Sequence, residues 1–302
     1  MRATITQANT GKLVSTSKFA GYDHCLNPYV GCEFGCKYCY VRFFIKGDTP
    51  WGEWVRIRWH IHKKLAAELT KVGPTRLVIG TMCDPYQPAE IKHRLTRASL
   101  KLIAASDTRM KKVGIFTRSP LIVQDAELIA SLPRARVHFT VSPFDEKTRK
   151  IVEPYPISAK ARFRAIEKLQ KAGIRVHVNV APALPIVSDR LIEPYAKILA
   201  TMKVNEFFVD PMQPYSDSFD AMREAMGGSE EWAAIEDIVL NKRNYRIWKQ
   251  EFHRKWTEAW KKVRDRSPNT MPISSDHASK KKIDMNTGEY LDWESYDQYE
   301  GK

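Results

Sequence analysis

The chain has 302 residues, 43% of them hydrophobic, and a formal net charge of +14 at neutral pH. This hydrophobic content is enough for a sizeable core, which argues against a disordered chain, and no segment approaches the ~20 consecutive apolar residues that span a bilayer. The excess of Lys and Arg indicates a polyanionic partner such as nucleic acid, because basic side chains neutralise phosphates. The N-terminal residues lack the apolar segment of a secretory signal, so we expect a cytoplasmic protein without a membrane partner.

After a polar N-terminal arm, short apolar segments alternate with longer helical patterns. Strands are predicted near 25–30 and at 76–81, 112–117, 136–142, 174–181 and 205–210. Helices are predicted at about 51–71, 94–106, 121–131, 158–172 and 188–203. This alternation indicates βαβ units and a parallel sheet, arranged as an open doubly wound sheet or as a partial barrel of the TIM type. No glycine-rich phosphate-binding motif follows the first strand, which weakens the nucleotide-binding doubly wound option relative to an α/β fold with a partial (β/α)6 barrel.

Polar side chains follow the predicted strands at the point where each strand ends. Thr81, Asp84, Arg118, Ser142 and Asp210 all lie at or just past these ends. Reactive groups gather at the carboxyl ends of parallel strands in both candidate architectures. The pattern therefore predicts where a functional site lies without deciding between the two folds.

The C-terminal part of the chain has a different character, with successive helical patterns and then a polar tail that begins at Ser267. The helix predicted at 241–263 carries one stripe of aromatic side chains, namely Tyr245, Trp248, Phe252, Trp256 and Trp260. We interpret this stripe as a packing face, with base stacking as the alternative, and the basic outer face of the same helix could follow phosphates. We predict an N-terminal arm (1–19), a barrel domain (20–215) and a basic helical C-terminal extension with the polar tail (216–302).

Four of the five cysteines lie between positions 25 and 39, too few and too clustered for a disulfide framework. Cys32, Cys36 and Cys39 have the spacing Cys-x3-Cys-x2-Cys, and three thiolates on one short loop can bind three irons of a cubane cluster. The fourth iron then stays open for a ligand. Gly31 and Gly35 suit a loop that wraps closely around such a core. The alternatives are a zinc site with Cys25 as the fourth ligand, and thiols that bind no metal.

Four motifs extend this pattern, namely NPYVGCEFGCKYCYVRF from Asn27, DPYQPAE at 84–90, FTRSPLI at 116–122 and NVAPALP at 179–185. Together with the aromatic Tyr38 before the last cysteine, they resemble the radical S-adenosylmethionine (SAM) superfamily. The sequence is similar in particular to the branch of spore photoproduct lyase and DNA repair photolyase-like proteins, over about residues 20–215. The resemblance implies two cofactors, a [4Fe–4S] cluster bound by the three cysteines and SAM chelated to the open iron.

The resemblance also implies which residues contact SAM. Tyr38 would meet the adenine through its backbone, and Thr81 would lie near the methionyl amine. Arg118 stands where relatives commonly have Lys and would pair with the methionyl carboxylate, since it keeps the charge. A simpler role for Arg118 is an ion pair with a nearby carboxylate such as Asp145.

The remaining SAM contacts implied by the resemblance follow the later strands. Ser142 would contact the methionyl or ribose end, and Ala181 with Pro182 would form an apolar wall beside the adenine. The alternative for Ser142 is that it only ends a strand. In this family one electron from the reduced cluster, supplied by a donor such as flavodoxin or ferredoxin, cleaves SAM and yields a 5′-deoxyadenosyl radical.

The radical takes a hydrogen atom from a substrate, which the sequence defines less well. Spore photoproduct lyases return a hydrogen atom from a cysteine in roughly the position of Cys83, so Cys83 is the candidate catalytic residue; the alternative is a small buried apolar side chain. Charge and resemblance favour damaged or modified nucleic acid, DNA more than RNA, in a lyase-like reversal of a carbon–carbon bond. RNA, peptides or metabolites are alternative substrates, and a non-catalytic, zinc-stabilised nucleic-acid-binding protein is the alternative of a different class.

Overall fold

The computed structural model of the chain describes residues 3–8, 11–47, 49–106, 110–214, 216–276, 281–286 and 290–291. The strands are β1 (Thr4–Ala8), β2 (Val14–Thr16), β3 (His24–Leu26), β4 (Tyr29–Val30), β5 (Trp54–Arg58), β6 (Thr75–Ile79), β7 (Met110–Thr117), β8 (Arg136–Thr140), β9 (Arg175–Ala183), β10 (Glu206–Pro211), β11 (Met271–Asp276), β12 (Lys281–Asp284) and β13 (Tyr290–Leu291). The helices are α1 (Val41–Phe44), α2 (Ile61–Val72), α3 (Ala89–His93), α4 (Leu95–Ala105), α5 (Ala126–Ala130), α6 (Glu146–Val152), α7 (Ala159–Lys171), α8 (Ile192–Met202), α9 (Ser216–Met226), α10 (Glu230–Leu240) and α11 (Lys242–Lys261).

The described residues form two compact units. The first comprises those of Met1–Gly35, Phe44–Phe139 and Ile157–Val176, and the second those of Cys36–Phe43, Thr140–Pro156 and His177–Lys302. Strands and helices alternate in both, and most strand pairs are parallel, so the predicted α/β fold with a parallel sheet is confirmed. Among the described strands the sheets are open and no closed barrel is present, as a partial barrel requires.

In the first unit β3, β6, β7 and β8 pair in parallel in that order, and β2 joins β3 antiparallel. Leu77, Val78 and Ile79 of β6 are fully buried, because a parallel strand that is covered on both faces needs a continuous apolar run. Leu26 pairs with Ile79, and Ile79 with Ile115, which brings the carboxyl ends of three strands to one edge. A second small sheet has the order β1-β5-β4.

In the second unit β9, β10 and β11 pair in parallel, and β12 and β13 extend them antiparallel. Helix α11 packs against α8 and α10. The aromatic stripe of α11 is buried, and the rings of Trp256 and Trp260 lie 5.8 and 4.8 Å from the ring of Phe207 in β10. The packing interpretation of this stripe is therefore confirmed, and these rings have no exposed face on which a base could stack.

Three segments differ from the expectation drawn from the sequence. The helix predicted at 51–71 begins only at Ile61, because residues 54–58 form strand β5 with mostly buried side chains. The polar N-terminal arm contains β1 and β2, and the polar tail contains β11 to β13. Their sequences carry no strand signal, because short polar segments acquire strand geometry from a neighbour. Strand β11, for example, pairs with β10 over Glu206–Val209.

The other elements lie close to their predicted positions. Gly173 follows α7 with a φ of 78° and donates its N–H to Gln170 O over 2.9 Å, as expected for a helix C-cap. The segment predicted as a helix at 121–131 is divided into a 3-10 turn at Pro120–Asp125 and the short α5.

In the part of the chain that the structure describes, no helix has both the length and the apolar character to cross a membrane.

Candidate functional site

The cysteine loop, residues 31–39, begins directly after β4 and is built from tight turns. Gly31 has a φ of 85°, and a Cβ there would lie 2.7 Å from both Cζ3 and the carbonyl oxygen of Trp54, so only glycine fits. Gly35 N donates to Cys32 O over 3.3 Å, and Cys39 N donates to Cys36 O over 3.2 Å. Local backbone contacts thus shape the chain on either side of Gly35.

The predicted site residues are divided between the two units. The first contains Cys32, Thr81, Cys83 and Arg118, and the second contains Cys36, Tyr38, Cys39, Ser142, Ala181 and Pro182. Among all described residues, no three His, Cys, Asp or Glu side chains form a group that could hold a metal ion. The assignment of Cys32, Cys36 and Cys39 as ligands therefore rests on their spacing and on the thiolate donor set, which fits an iron–sulfur cluster, and it stays a prediction.

In the first unit Asn27 joins two of the predicted residues. Its side-chain Nδ2 donates to Thr81 Oγ1 over 3.1 Å, and its Oδ1 accepts from Met82 N at 2.8 Å and lies 3.9 Å from Cys83 Sγ. Cys83 is only 5% exposed and packs in an apolar cluster with Tyr29, Val55, Ile57 and Ala89. Burial raises the pKa of the Cys83 thiol to about 12, so it keeps its proton at neutral pH.

The half-buried Asp84 connects the end of β7 with the segment after β6 through its carboxylate. Its Oδ1 accepts from Thr117 Oγ1 at 2.7 Å and from Tyr86 N at 2.9 Å, and its Oδ2 accepts from Arg118 N at 2.8 Å. Desolvation raises the pKa of Asp84, and these three donors oppose the shift. Asp84 therefore fixes the backbone from which the Arg118 side chain extends. Asp145 instead caps helix α6, where its Oδ1 accepts from Thr148 N at 2.7 Å.

The DPYQPAE segment, residues 84–90, contacts the first part of the cysteine loop. Gln87 is buried, and its side-chain amide bonds to the backbone on both sides of Cys32. Glu90 is also buried and accepts from Tyr29 Oη and from the backbone N–H groups of Thr96 and Arg97. Desolvation raises the pKa of Glu90, although its hydrogen bonds work in the opposite direction.

In the second unit a chain of hydrogen bonds brings together three predicted residues. Tyr38 Oη lies 2.9 Å from Ser142 Oγ and donates to Glu153 Oε1 over 2.7 Å. Ser142 Oγ donates to Ala181 O over 2.9 Å, and Pro182 follows through a cis peptide bond. The second turn of the cysteine loop is thereby tied to the ends of β8 and β9.

Cys25, the proposed fourth ligand of the zinc alternative, lies in strand β3. Its Sγ is 3.4 Å from Ser15 Oγ and 3.8 Å from Thr16 O, both in the paired strand β2. The Cys25 side chain thus contacts the neighbouring strand of the sheet. These contacts give no support to the zinc alternative.

Some residues at the site were missed when the sequence was read alone. Asn27, Gln87 and Glu90 stand inside the quoted motifs, so their position was a usable signal. Glu153 is 2% exposed and lies 115 positions from Tyr38, and nothing in the local pattern marks it as a partner.

Comparisons with known proteins show what the chain is similar to. An uncharacterized protein of Methanocaldococcus jannaschii is 28% identical over 187 residues, which are 61% of this chain and 70% of that protein. An uncharacterized protein of Mycobacterium tuberculosis is 29% identical over 178 residues, 56% of this chain and 52% of that one, so the chain spans about half the length of this relative.

Among solved structures, a spore photoproduct lyase double mutant with bound AdoMet and dinucleoside spore photoproduct matches with a TM-score of 0.65. The alignment covers 89% of this chain and 80% of that one at 14% identity, so it shows a shared fold. The family model described as "Radical SAM superfamily" matches residues 26–199. Because that match covers more than half of the chain, the protein belongs to the radical SAM superfamily, as the cysteine motif predicts, with SAM and a [4Fe–4S] cluster as its cofactors.

Proposed function

We propose that this protein is a radical SAM enzyme that acts on damaged or modified nucleic acid, in a lyase-like reaction. The observation that carries the radical chemistry is the cysteine loop, in which three thiols with the Cys-x3-Cys-x2-Cys spacing lie on a short segment shaped by glycine turns. Cys32, Cys36 and Cys39 would hold the cluster. When bound, the cluster and SAM supply a radical that abstracts a hydrogen atom from the substrate.

Several of the predicted residues would hold and orient the cofactor. Tyr38 Oη meets Ser142 Oγ, and Ser142 Oγ donates to Ala181 O. These contacts support Ser142 as a contact of the methionyl or ribose end of SAM, and Ala181 with Pro182 as the apolar wall beside the adenine. Thr81 is fixed by Asn27. Asp84 binds the backbone N–H of Arg118, so the guanidinium would start from a defined position when it pairs with the SAM carboxylate.

The nucleic-acid part of the proposal is supported by a basic and aromatic surface in the first unit, which we call the Trp59 surface (residues 58–63). Trp59 is 46% exposed, and its ring makes an edge contact with His60 at 5.6 Å between centroids. Arg58, His62 and Lys63 surround it in sequence, with no acidic residue in the segment. An exposed indole among cations provides both base stacking and phosphate contacts.

A second basic surface lies on α11, whose aromatic rings are all buried. Part of its charge is already matched, since Arg254 pairs with Glu251 and Glu258, and Lys262 with Glu193. Among the described residues the Trp59 surface is therefore the better candidate for contacts to bases. The fold shared with a lyase that binds a dinucleoside photoproduct is consistent with this substrate class.

Two properties of Cys83 bear on its role as the hydrogen-atom donor. Its burial in an apolar cluster favours a packing role, while its protonated thiol is the form that a hydrogen-atom donor needs. A reducing cytoplasm and an electron donor such as flavodoxin or ferredoxin complete the proposal, because the cluster has to be reduced before it can cleave SAM.

The proposal is tested with ultraviolet-irradiated and unirradiated DNA oligonucleotides added to the reconstituted protein. We expect irradiated DNA to increase 5′-deoxyadenosine formation above the level without substrate. We also expect Trp59→Ala to weaken binding by about 5- to 150-fold, because stacking of one base contributes ~1–3 kcal/mol. Leu240→Ala, which removes another exposed apolar side chain, is the control. If irradiated DNA neither binds nor raises 5′-deoxyadenosine while RNA or a peptide does, the substrate assignment is wrong.

A further inference from the structure

The peptide groups on either side of Cys32 are bound by one buried side chain. Gln87 Nε2 donates to Gly31 O over 3.3 Å, and Gln87 Oε1 accepts from Glu33 N at 2.9 Å. These two backbone groups flank Cys32 directly. A primary amide satisfies both because it carries a donor and an acceptor, which neither a carboxylate nor an alkyl side chain does.

The cysteine loop and the DPYQPAE segment also bond in the opposite sense, through a side chain of the loop. The Glu33 carboxylate accepts from Ala89 N. A side chain of the loop therefore binds the backbone of the DPYQPAE segment, just as Gln87 of that segment binds the backbone of the loop. Two residues before the loop, Tyr29 Oη donates to Glu90, whose carboxylate also accepts from Thr96 N and Arg97 N at the start of α4. The chain before and after Cys32 is thus fixed to the DPYQPAE segment, which carries no predicted ligand.

Burial makes these contacts costly to lose. Gln87 and Glu90 are fully buried and Tyr29 is 1% exposed, so water cannot replace a missing partner. A Cβ at Gly31 would lie 2.7 Å from Trp54, so there is no free space on that side of the residue. The polypeptide at Cys32 therefore has little freedom to relax.

From this geometry we infer that Gln87 is a positioning residue for the cluster: its side-chain amide holds the two peptide groups around Cys32 and so sets the direction of this thiolate. The inference rests on the proposed role of Cys32 as a cluster ligand. Holding a ligand by hydrogen bonds to its neighbouring peptides acts in the same way as the outer-shell contacts that orient metal ligands elsewhere. Glu33 and Glu90 act with Gln87 by fixing the two segments against each other.

The test compares the native protein with Gln87→Glu, which keeps the size and the acceptor for Glu33 N but removes the donor to Gly31 O. Gln124→Glu, the same chemical change at an exposed position of the same unit, is the matched control. Each variant is reconstituted anaerobically, its iron and sulfide are counted, and the rate of iron release to a chelator is followed. The EPR signal of the reduced cluster and the thermal midpoint of the metal-free chain are recorded beside it.

We expect Gln87→Glu to release iron about tenfold faster than the native protein, as for the loss of one buried hydrogen bond, and to change the EPR signal. The control should match the native protein. Native iron retention and EPR signal in Gln87→Glu would overturn the inference while leaving the proposed function intact. A native protein that binds no iron at all would instead refute the proposed function.

A second variant covers the case in which Gln87→Glu does not fold. Glu33→Ala removes the return contact to Ala89 N from a side chain that is only half buried, so it disturbs the core less. The same faster iron release and altered EPR signal are expected. Native behaviour of this variant would overturn the inference.

Discussion

The Tyr38 hydroxyl provides a sharp test of how the second turn of the cysteine loop is held. Tyr38→Phe keeps the ring, whose edge contact with Phe144 has a centroid distance of 5.6 Å, and removes only the oxygen that meets Ser142 and Glu153. Glu153 is almost fully buried, so no water takes the place of the lost donor. A hydrogen bond to a carboxylate contributes about 1.5–3 kcal/mol, and we expect the free energy of unfolding to fall by about 2 kcal/mol.

The assay is urea unfolding of the metal-free chain under anaerobic, reducing conditions, followed by circular dichroism. The midpoint should fall while the m-value stays constant, because the surface exposed on unfolding does not change. Tyr155→Phe is the control. Because Tyr155 is exposed, water can hydrate the groups that its hydroxyl leaves, and this substitution should change the free energy of unfolding little. A loss below about 0.5 kcal/mol for Tyr38→Phe would refute the reasoning, since it lies under the range for a bond of this kind.

Three further predictions follow from burial and charge. Trp256→Ala should destabilise the chain by about 3–5 kcal/mol in the same assay, because the ring is fully buried against Phe207; a loss under about 1 kcal/mol would contradict the packing role. Because burial raises the pKa of Glu90, its protonated form contributes stability below the unfolded pKa of about 4.3, and this contribution is lost as the pH rises through the folded pKa. Glu90→Gln should therefore gain stability relative to the native chain as the pH rises above the unfolded pKa, and a difference that does not change with pH would exclude the shift. In the metal-free native chain near pH 8, iodoacetamide should modify Cys25 but leave the buried, protonated Cys83 intact until denaturant is added; equal labelling in peptide mass spectra would show that Cys83 is accessible.

The elements with strong periodic patterns could be predicted from the sequence. The apolar run in β6 is typical of a buried strand, and the aromatic stripe of α11 recurs at the spacing of one helix face. Both elements lie where the sequence predicts them. The sequence predicts helix at strand β5 because this strand directly precedes α2 and is too short to show its own period against a longer helical pattern. Strand β11 depends on its pairing with β10, which no local pattern contains.

For the site residues too, motifs that are continuous in the sequence could be predicted, whereas contacts between distant positions could not. The cysteine motif and the DPYQPAE motif could be read directly, and Asn27 and Gln87 stand within them. Their roles could not be read, because Gln87 meets Glu33 across 54 positions and Asn27 meets Thr81 across the same separation. Glu153, buried 115 positions from Tyr38, could be found only from the folded chain.

The central claim, radical SAM chemistry at the cysteine loop, is tested most directly by quantifying 5′-deoxyadenosine. The protein is purified without oxygen, its cluster is reconstituted, and SAM is added with a reductant. We predict a brown protein that forms 5′-deoxyadenosine, and the loss of both properties in Cys36→Ala. A colourless protein that contains zinc and forms no 5′-deoxyadenosine would contradict the account and favour a metal-stabilised nucleic-acid-binding protein.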